Sequence, residues 1–273
     1  MIAVREHGAS GAQLVVLHGG PGAPGSAAPL ARELGRWFRV LEPLQRGSGV
    51  EPLTVARHVA DLNEVIGAQR EGARPSLVGH SWGAMLALAY AAAHPDSASA
   101  IVLVGCGTFD RASRERLRID REARMDVAPR RDLARIDREL SQPPDSNARL
   151  RAFAESTLPV DSCELIAGDH ELGTCDARAF EETWTDMVRL QAEGLYPAAF
   201  AAIGAPVLML HGREDPHPGA MIRASLQPFV RRLEYCELAR CGHYPWLETH
   251  ARGPFFATLR AWLERESDGG GGA

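Results

Sequence analysis

Gly79-His80-Ser81-Trp82-Gly83 reads as G-x-S-x-G, the sequence form of a nucleophile elbow. Residues 75–78 before it are few and apolar, as a buried strand is. Residues 84–93 after it are rich in alanine and read as a helix. A serine in the sharp turn between them is pushed out of the sheet with its hydroxyl exposed. Glycines at 79 and 83 let strand and helix approach closely at that turn. Five-residue matches also arise by chance, so the strand, turn and helix around the pattern carry its meaning.

Outward from the elbow, strand and helix patterns alternate. Strands are expected at 13–17, 38–41, 76–78, 100–104, 206–210 and 233–238, and helices at 55–70, 84–93, 220–227 and 255–265. The helix at 55–70 places Val55, Val59, Leu62, Val65 and Ile66 on one stripe, and Pro95 follows the helix at 84–93. Such alternation predicts an α/β fold with a mostly parallel sheet flanked by helices. The interval 106–197 breaks the rhythm and reads as an inserted helical unit between two core segments, 1–105 and 198–266. An insertion there sits above the sheet's C-terminal edge, where open α/β sheets bind ligands. Its part at 110–139 is crowded with Arg111, Arg114, Glu115, Arg118, Asp120, Arg121 and Glu122, and reads as a solvated helix with paired charges. Phe180, Trp184, Met187 and Val188 form an apolar stripe, suited to core packing or to lining a pocket.

The 273 residues carry a net charge of −5, which gives no support to a nucleic-acid partner. No apolar run reaches membrane-spanning length, and the first residues lack the pattern of a secretory signal. Cys106, Cys163, Cys175, Cys236 and Cys241 form no C-x-x-C pair and are odd in number. They read as reduced thiols, and the expected location is cytoplasmic. The glycine-rich end, 267–273, is expected to be disordered.

A serine hydroxyl needs a base to take its proton and a carboxylate to hold that base. Strand 206–210 is followed by His211, Gly212, Arg213, Glu214, Asp215 and Pro216, and strand 233–238 by a loop containing Cys241, Gly242, His243 and Tyr244. Ser81, Asp215 and His243 thus follow the order nucleophile, acid, base at the ends of successive strands. Glu214 is the alternative acid. An Asp-Pro pair also suits a plain turn, and a loop histidine a plain cap, so the joint pattern is what favours chemistry. Acyl transfer also needs N–H donors for the developing oxyanion. His18-Gly19-Gly20-Pro21-Gly22 follows the strand at 13–17, and Gly20 is the expected donor with Trp82, the residue after the serine. His18, Gly19, Pro21, Trp184 and Tyr244 are the candidate pocket residues. His211 and His217 flank Asp215, but with His243 their spacing matches no metal motif, and no metal or cofactor is expected. His80 reads as structural, Cys241 as a packing residue and Arg46 as a tie between loops.

With these residues in place, the chain resembles the α/β-hydrolase superfamily over nearly its whole length. HGGPG at 18–22, QRGSG at 45–49, GHSWG at 79–83, HGREDP at 211–216 and CGHYPW at 241–246 resemble its proline iminopeptidase branch. The resemblance implies an α/β-hydrolase core with a helical cap at 106–197 and serine chemistry without metal or cofactor. It assigns nucleophile, acid, base and oxyanion donors to Ser81, Asp215, His243, Gly20 and Trp82. The branch usually has aspartate where Leu44 stands and glycine where His80 stands. Its peptidases hold the substrate amine with cap glutamates, for which Glu181 and Glu182 beside Trp184 are the faint counterpart.

The leading expectation is a serine hydrolase acting on a small carboxylic ester, with a proline iminopeptidase-like aminopeptidase acting on a short peptide as the alternative. An apolar pocket favours the first, and acids facing the pocket the second. Carbon–carbon bond hydrolysis with the same residues calls for a pocket gripping a dioxo-carboxylate, and no isolated basic residue in the sequence obviously supplies it. A ligand receptor with a vestigial triad is the reading from another class. Dehalogenase and epoxide-hydrolase chemistry would place aspartate where Ser81 stands.

Overall fold

The fold is that of a computed structural model, described over residues 1–69, 74–125, 146–168 and 174–269. In chain order the elements are β1 (Val4–His7), β2 (Gln13–Leu17), α1 (Ala28–Leu34), β3 (Arg39–Pro43), α2 (Val55–Ala68), β4 (Ser76–His80), α3 (Trp82–Ala93) and β5 (Ile101–Val104). There follow α4 (Arg111–Arg124), α5 (Ser146–Val160), α6 (Ala177–Ala192), β6 (Val207–Gly212), α7 (Gly219–Leu226), β7 (Leu233–Leu238) and α8 (Arg252–Gly269). Among the described residues the strands form one sheet in the order β1-β3-β2-β4-β5-β6-β7. All neighbours are parallel except β1 and β3.

Period-two burial explains why the central strands read as continuous apolar runs. Val15, Leu17, Leu77, Leu103 and Met209 pack on one face with α2, α3 and α7. Leu14, Val16, Val78, Val102 and Leu210 pack on the other with α1 and α8. A sheet covered on both faces has no wet side, so polar alternation vanishes. The chain leaves β2 toward β3 on one side and β4 toward β5 on the other. The C-terminal ends of β2 and β4 therefore flank the point where the winding direction reverses, the place such sheets open a ligand crevice.

Two differences from the sequence reading concern the chain ends. No strand was expected before Gln13, yet β1 pairs antiparallel with β3. It lies at the sheet edge and consists of Val-Arg-Glu-His, with its two central residues exposed, so it lacks an apolar signature. At the other end, residues 267–269 were expected to be disordered but continue α8, where the Ser267 hydroxyl donates to Leu263 O at 2.8 Å. Residues 270–273 lie outside the described residues, as do Arg70 and the 126–139 part of the charged stretch.

Candidate active site

Strand β4 delivers Ser81 to the switch point in a strained conformation. Its φ is 54° and its ψ −116°, a region that L-residues rarely adopt. The surrounding structure over-determines that turn. Ser81 N–H donates to Val104 O at 2.9 Å, and Ala84 N–H donates to Ser81 O at 3.1 Å. A Cβ on Gly79 would lie 2.3 Å from Gly83 O, and one on Gly83 2.2 Å from Leu17 O. Both glycines are thus required by close packing, and α3 can start directly after the serine. Trp82 opens that helix, so its N–H is one of the first-turn donors that the helix cannot use. The loop after β2 crosses close above: a Cβ on Gly19 would sit 3.1 Å from that of Ser81.

That loop is fixed by Gln45. Gln45 N–H donates to His18 Nε2 at 3.3 Å, its amide donates to His18 O at 3.1 Å, and its carbonyl accepts the Trp82 indole N–H at 2.8 Å. Burial pushes the His18 imidazole down to about 4, keeping it neutral, and Nδ1–H donates to Gly19 O at 3.0 Å. His18 is therefore a strut of the loop. It is absent from the cavity wall where the sequence reading placed it. Arg46 pairs with Asp61 of α2 through two 2.7 Å contacts, so it ties its loop to a helix where a tie between loops was expected.

Loops after β6 and β7 bring Asp215 and His243 together. His243 Nδ1–H donates to Asp215 Oδ2 at 2.7 Å. Oδ1 accepts both the backbone N–H and Nδ1–H of His217, each at 2.8 Å. His211 Nε2 lies 3.4 Å from Oδ2 and donates to His217 O at 2.9 Å. Glu214, the alternative acid, instead accepts Cys241 N–H at 2.9 Å. Burial alone would raise the Asp215 carboxyl, but His243, His217 and His211 around it outweigh that and hold it well below the usual range. Burial and the neighbouring His243 push His217 down to about 4 and His80 well below its usual value. His217 stacks on His243, ring centroids 4.0 Å apart and planes 12° apart, while His80 Nε2 donates to His243 O at 3.0 Å. Asp215, His217 and His243 bring donor atoms within 4.8 Å of one another, as metal ligands would. Direct N–H donation to both carboxylate oxygens places protons where a cation would sit, so the cluster reads as a hydrogen-bond network.

His18, His58 and His217 are all held near 4 by burial. Unfolded, each titrates near 6.5, so the unfolded chain binds more protons between the two values. Stability is then complete above pH 6.5 and lost as pH falls toward 4, by up to about 3 kcal/mol per histidine. The urea midpoint is expected to be clearly lower at pH 5 than at pH 7.5, and an unchanged midpoint would contradict these neutral histidines.

The loop carrying His243 is held by the segment after α5. His243 N–H donates to Asp161 O at 2.7 Å. The buried Glu248 carboxylate accepts N–H groups from Gly242 and Cys163, both at 2.9 Å, and from Glu164 at 2.7 Å. Leu165 adds an isolated antiparallel bridge to Glu248.

Above Ser81 lies a cavity of about 410 Å³ lined by Ser81, His243 and His217. Gly19, Pro21, Trp184 and Tyr244 line it too, as the sequence reading expected, and so do Gly20 and Trp82, the two expected oxyanion donors. Its remaining wall is largely apolar, with Met85 from α3, Leu117 from α4, Leu150 and Phe153 from α5, and Phe180 from α6.

Residues 14–257 match the family model described as the alpha/beta hydrolase family. The chain belongs to that family. It is 29% identical over 270 residues to a 2-hydroxymuconate semialdehyde hydrolase of Pseudomonas sp. (strain CF600), covering 95% of this chain and 89% of that one. A thermophilic esterase from Thermogutta terrifontis superposes with a TM-score of 0.67 at 19% identity, over 97% of this chain and 93% of that one. Proline iminopeptidase of Mycobacterium smegmatis superposes with 0.62 at 20% identity, over 96% and 94%. At such identities the solved structures speak for the fold alone.

In this alpha/beta hydrolase family member, three features of the site escaped the sequence reading. His217 was weighed only for a metal site that its spacing did not support, and nothing in the sequence showed that it bonds Asp215 and stacks on His243. Arg121, assigned to a solvated helix, lines the cavity and pairs with buried Asp161 at 2.8 and 2.5 Å. Leu117, four residues earlier and on the same helix face, also lines the cavity and was the available signal. Some charges of α4 do pair along the surface, Arg118 with Glu115 and Glu122 and Arg116 with Asp120, whereas Arg114 reaches Gln191 and Arg124 the carbonyls of Val160 and Glu214. Glu248 carried no signal at all.

Proposed function

We propose that this family member is a serine hydrolase that cleaves a small carboxylic ester through an acyl-enzyme. Ser81 Oγ attacks the ester carbonyl while His243 takes its proton, and Asp215 holds the imidazole in the required tautomer. Gly20 and Trp82 N–H groups receive the oxyanion. His243 then protonates the departing alcohol, and water releases the acid. Residues 106–197 act as a cap: α4, α5 and α6 supply the apolar wall that receives the acyl group.

The observation that carries this reading is the apolar wall of the cavity over Ser81. An aminopeptidase would need an unspent acid to meet the substrate's α-amine. Asp161 is the acid among the described lining residues, and Arg121 already engages both its oxygens. Glu182, two residues before Trp184, accepts Leu53 N–H at 2.8 Å and Arg178 Nε–H at 2.6 Å. Glu181 is exposed and absent from the cavity wall. A second reading, cleavage of a substrate resembling that of the semialdehyde hydrolase relative, draws on that likeness and on Arg121 in the wall, although Asp161 already holds its guanidinium.

Initial rates on a series of p-nitrophenyl esters and on proline p-nitroanilide, measured side by side, test the proposal. Turnover of short and medium esters is expected, with little on the anilide. Dominant anilide turnover would overturn the ester reading. No turnover of either, with decay of 2-hydroxymuconate semialdehyde, would favour the second reading.

A further inference from the structure

We propose that His217 is a second catalytic imidazole, one that orients the water that hydrolyses the acyl-enzyme. This rests on the acyl-enzyme reading above. His217 and His243 donate Nδ1–H to the two oxygens of one carboxylate, and their rings stack 4.0 Å apart and nearly parallel. Both residues line the cavity beside Ser81. A carboxylate only accepts, so Nδ1 of His217 carries the proton and Nε2 is a bare acceptor. No hydrogen bond among the described residues engages that Nε2, and the side chain keeps 8% exposure in a wall of the cavity. The ring is neutral at pH 7, since burial and His243 hold it near 4.

Water supplies the reason for a second acceptor. It carries two O–H bonds, and a single general base satisfies one. In a cavity walled largely by apolar side chains the other O–H would be left without a partner, which disfavours the attacking geometry. His217 accepts that hydrogen bond and takes no proton. The water's first proton passes to His243 Nε2 as its oxygen bonds to the acyl carbon. The tetrahedral intermediate then expels Ser81 Oγ, which recovers the proton from His243, and the carboxylic acid departs.

An alcohol differs from water at this one point. Methanol has a single O–H for His243 and no second proton to satisfy. Water and methanol attack the same acyl-enzyme, so the ratio of acid to methyl ester formed is independent of acylation. In His217→Asn the amide nitrogen occupies the place of Nδ1 and still donates to Asp215, while the acceptor at Nε2 is gone. The methyl ester to acid ratio from a p-nitrophenyl ester in dilute methanol is expected to rise about tenfold over the parent, the equivalent of one hydrogen bond. His217→Phe keeps the stacked ring and lacks the acceptor, and it should shift the ratio the same way even if its acylation is slow. An unchanged ratio in a folded variant of either kind would overturn the role of His217, whatever happens to the overall rate. A parent protein with no methyl ester and no p-nitrophenol burst would instead overturn the acyl-enzyme reading.

Discussion

Ser81→Ala is expected to lower ester kcat/KM by roughly 10⁴- to 10⁶-fold while leaving the fold intact. The substitution removes one oxygen atom and no backbone bond. Ser81 N–H and O keep their partners on Val104, Ala84 and Met85, so alanine inherits the same strained turn. The cavity and the proposed oxyanion donors Gly20 and Trp82 remain, and on the proposed mechanism they would account for whatever residual rate survives. Thermal melting by circular dichroism should match the parent within a few degrees. Ester turnover that survives in a folded Ser81→Ala protein would remove the serine from the mechanism.

Asp215→Asn is expected to cost about 10⁴-fold in kcat, the scale seen when a triad carboxylate becomes an amide. The reason is local and geometric. Oδ2 accepts from His243, and Oδ1 accepts twice from His217. An amide presents a donor on one side, so whichever way it turns it meets an N–H. If the NH2 faces His243, that ring must take the other tautomer and loses the basic Nε2. If it faces His217, two donors are opposed inside a buried site. The variant should therefore also lose about 1–3 kcal/mol of stability, the cost of leaving a buried polar group unpaired, read as a lower urea midpoint. Asp215→Asn with near-parental kcat would dismiss Asp215 as the acid, and Glu214, which binds Cys241 N–H, would not inherit the role without moving.

The sheet and the elbow were legible because their residues answer to the backbone itself. Gly79 and Gly83 are demanded by contacts of 2.2–2.3 Å that no side chain could share, and that demand shows in the sequence as spacing. The inner strands were legible because burial on both faces leaves only apolar residues. Asp215 and His243 could be picked out together because each lies in the loop just after a strand, and the fold joins them by a hydrogen bond. What stayed hidden depends on where loops and helices come to rest in space. β1 is paired along one edge only, so half its residues answer to solvent. Arg121 looks like the other arginines of α4, and only the position of Asp161, 40 residues away, turns it inward. His18 sits in the HGG loop beside residues that do line the cavity, and its orientation is set by Gln45, 27 residues away.

The Glu248 junction bears on how such a protein could be re-engineered. If the helices over the cavity were independent of the sheet, grafting new ones would change substrate and spare chemistry. Here the Asp161 carbonyl and the amides of Cys163 and Glu164 are woven into the very loop that aims His243. A graft that replaces residues 161–166 would take away part of the seat of the base along with the old specificity. Chimeras cut on the near side of that junction should keep turnover, whereas those cut beyond it would need Asp161 to Glu164 transplanted back.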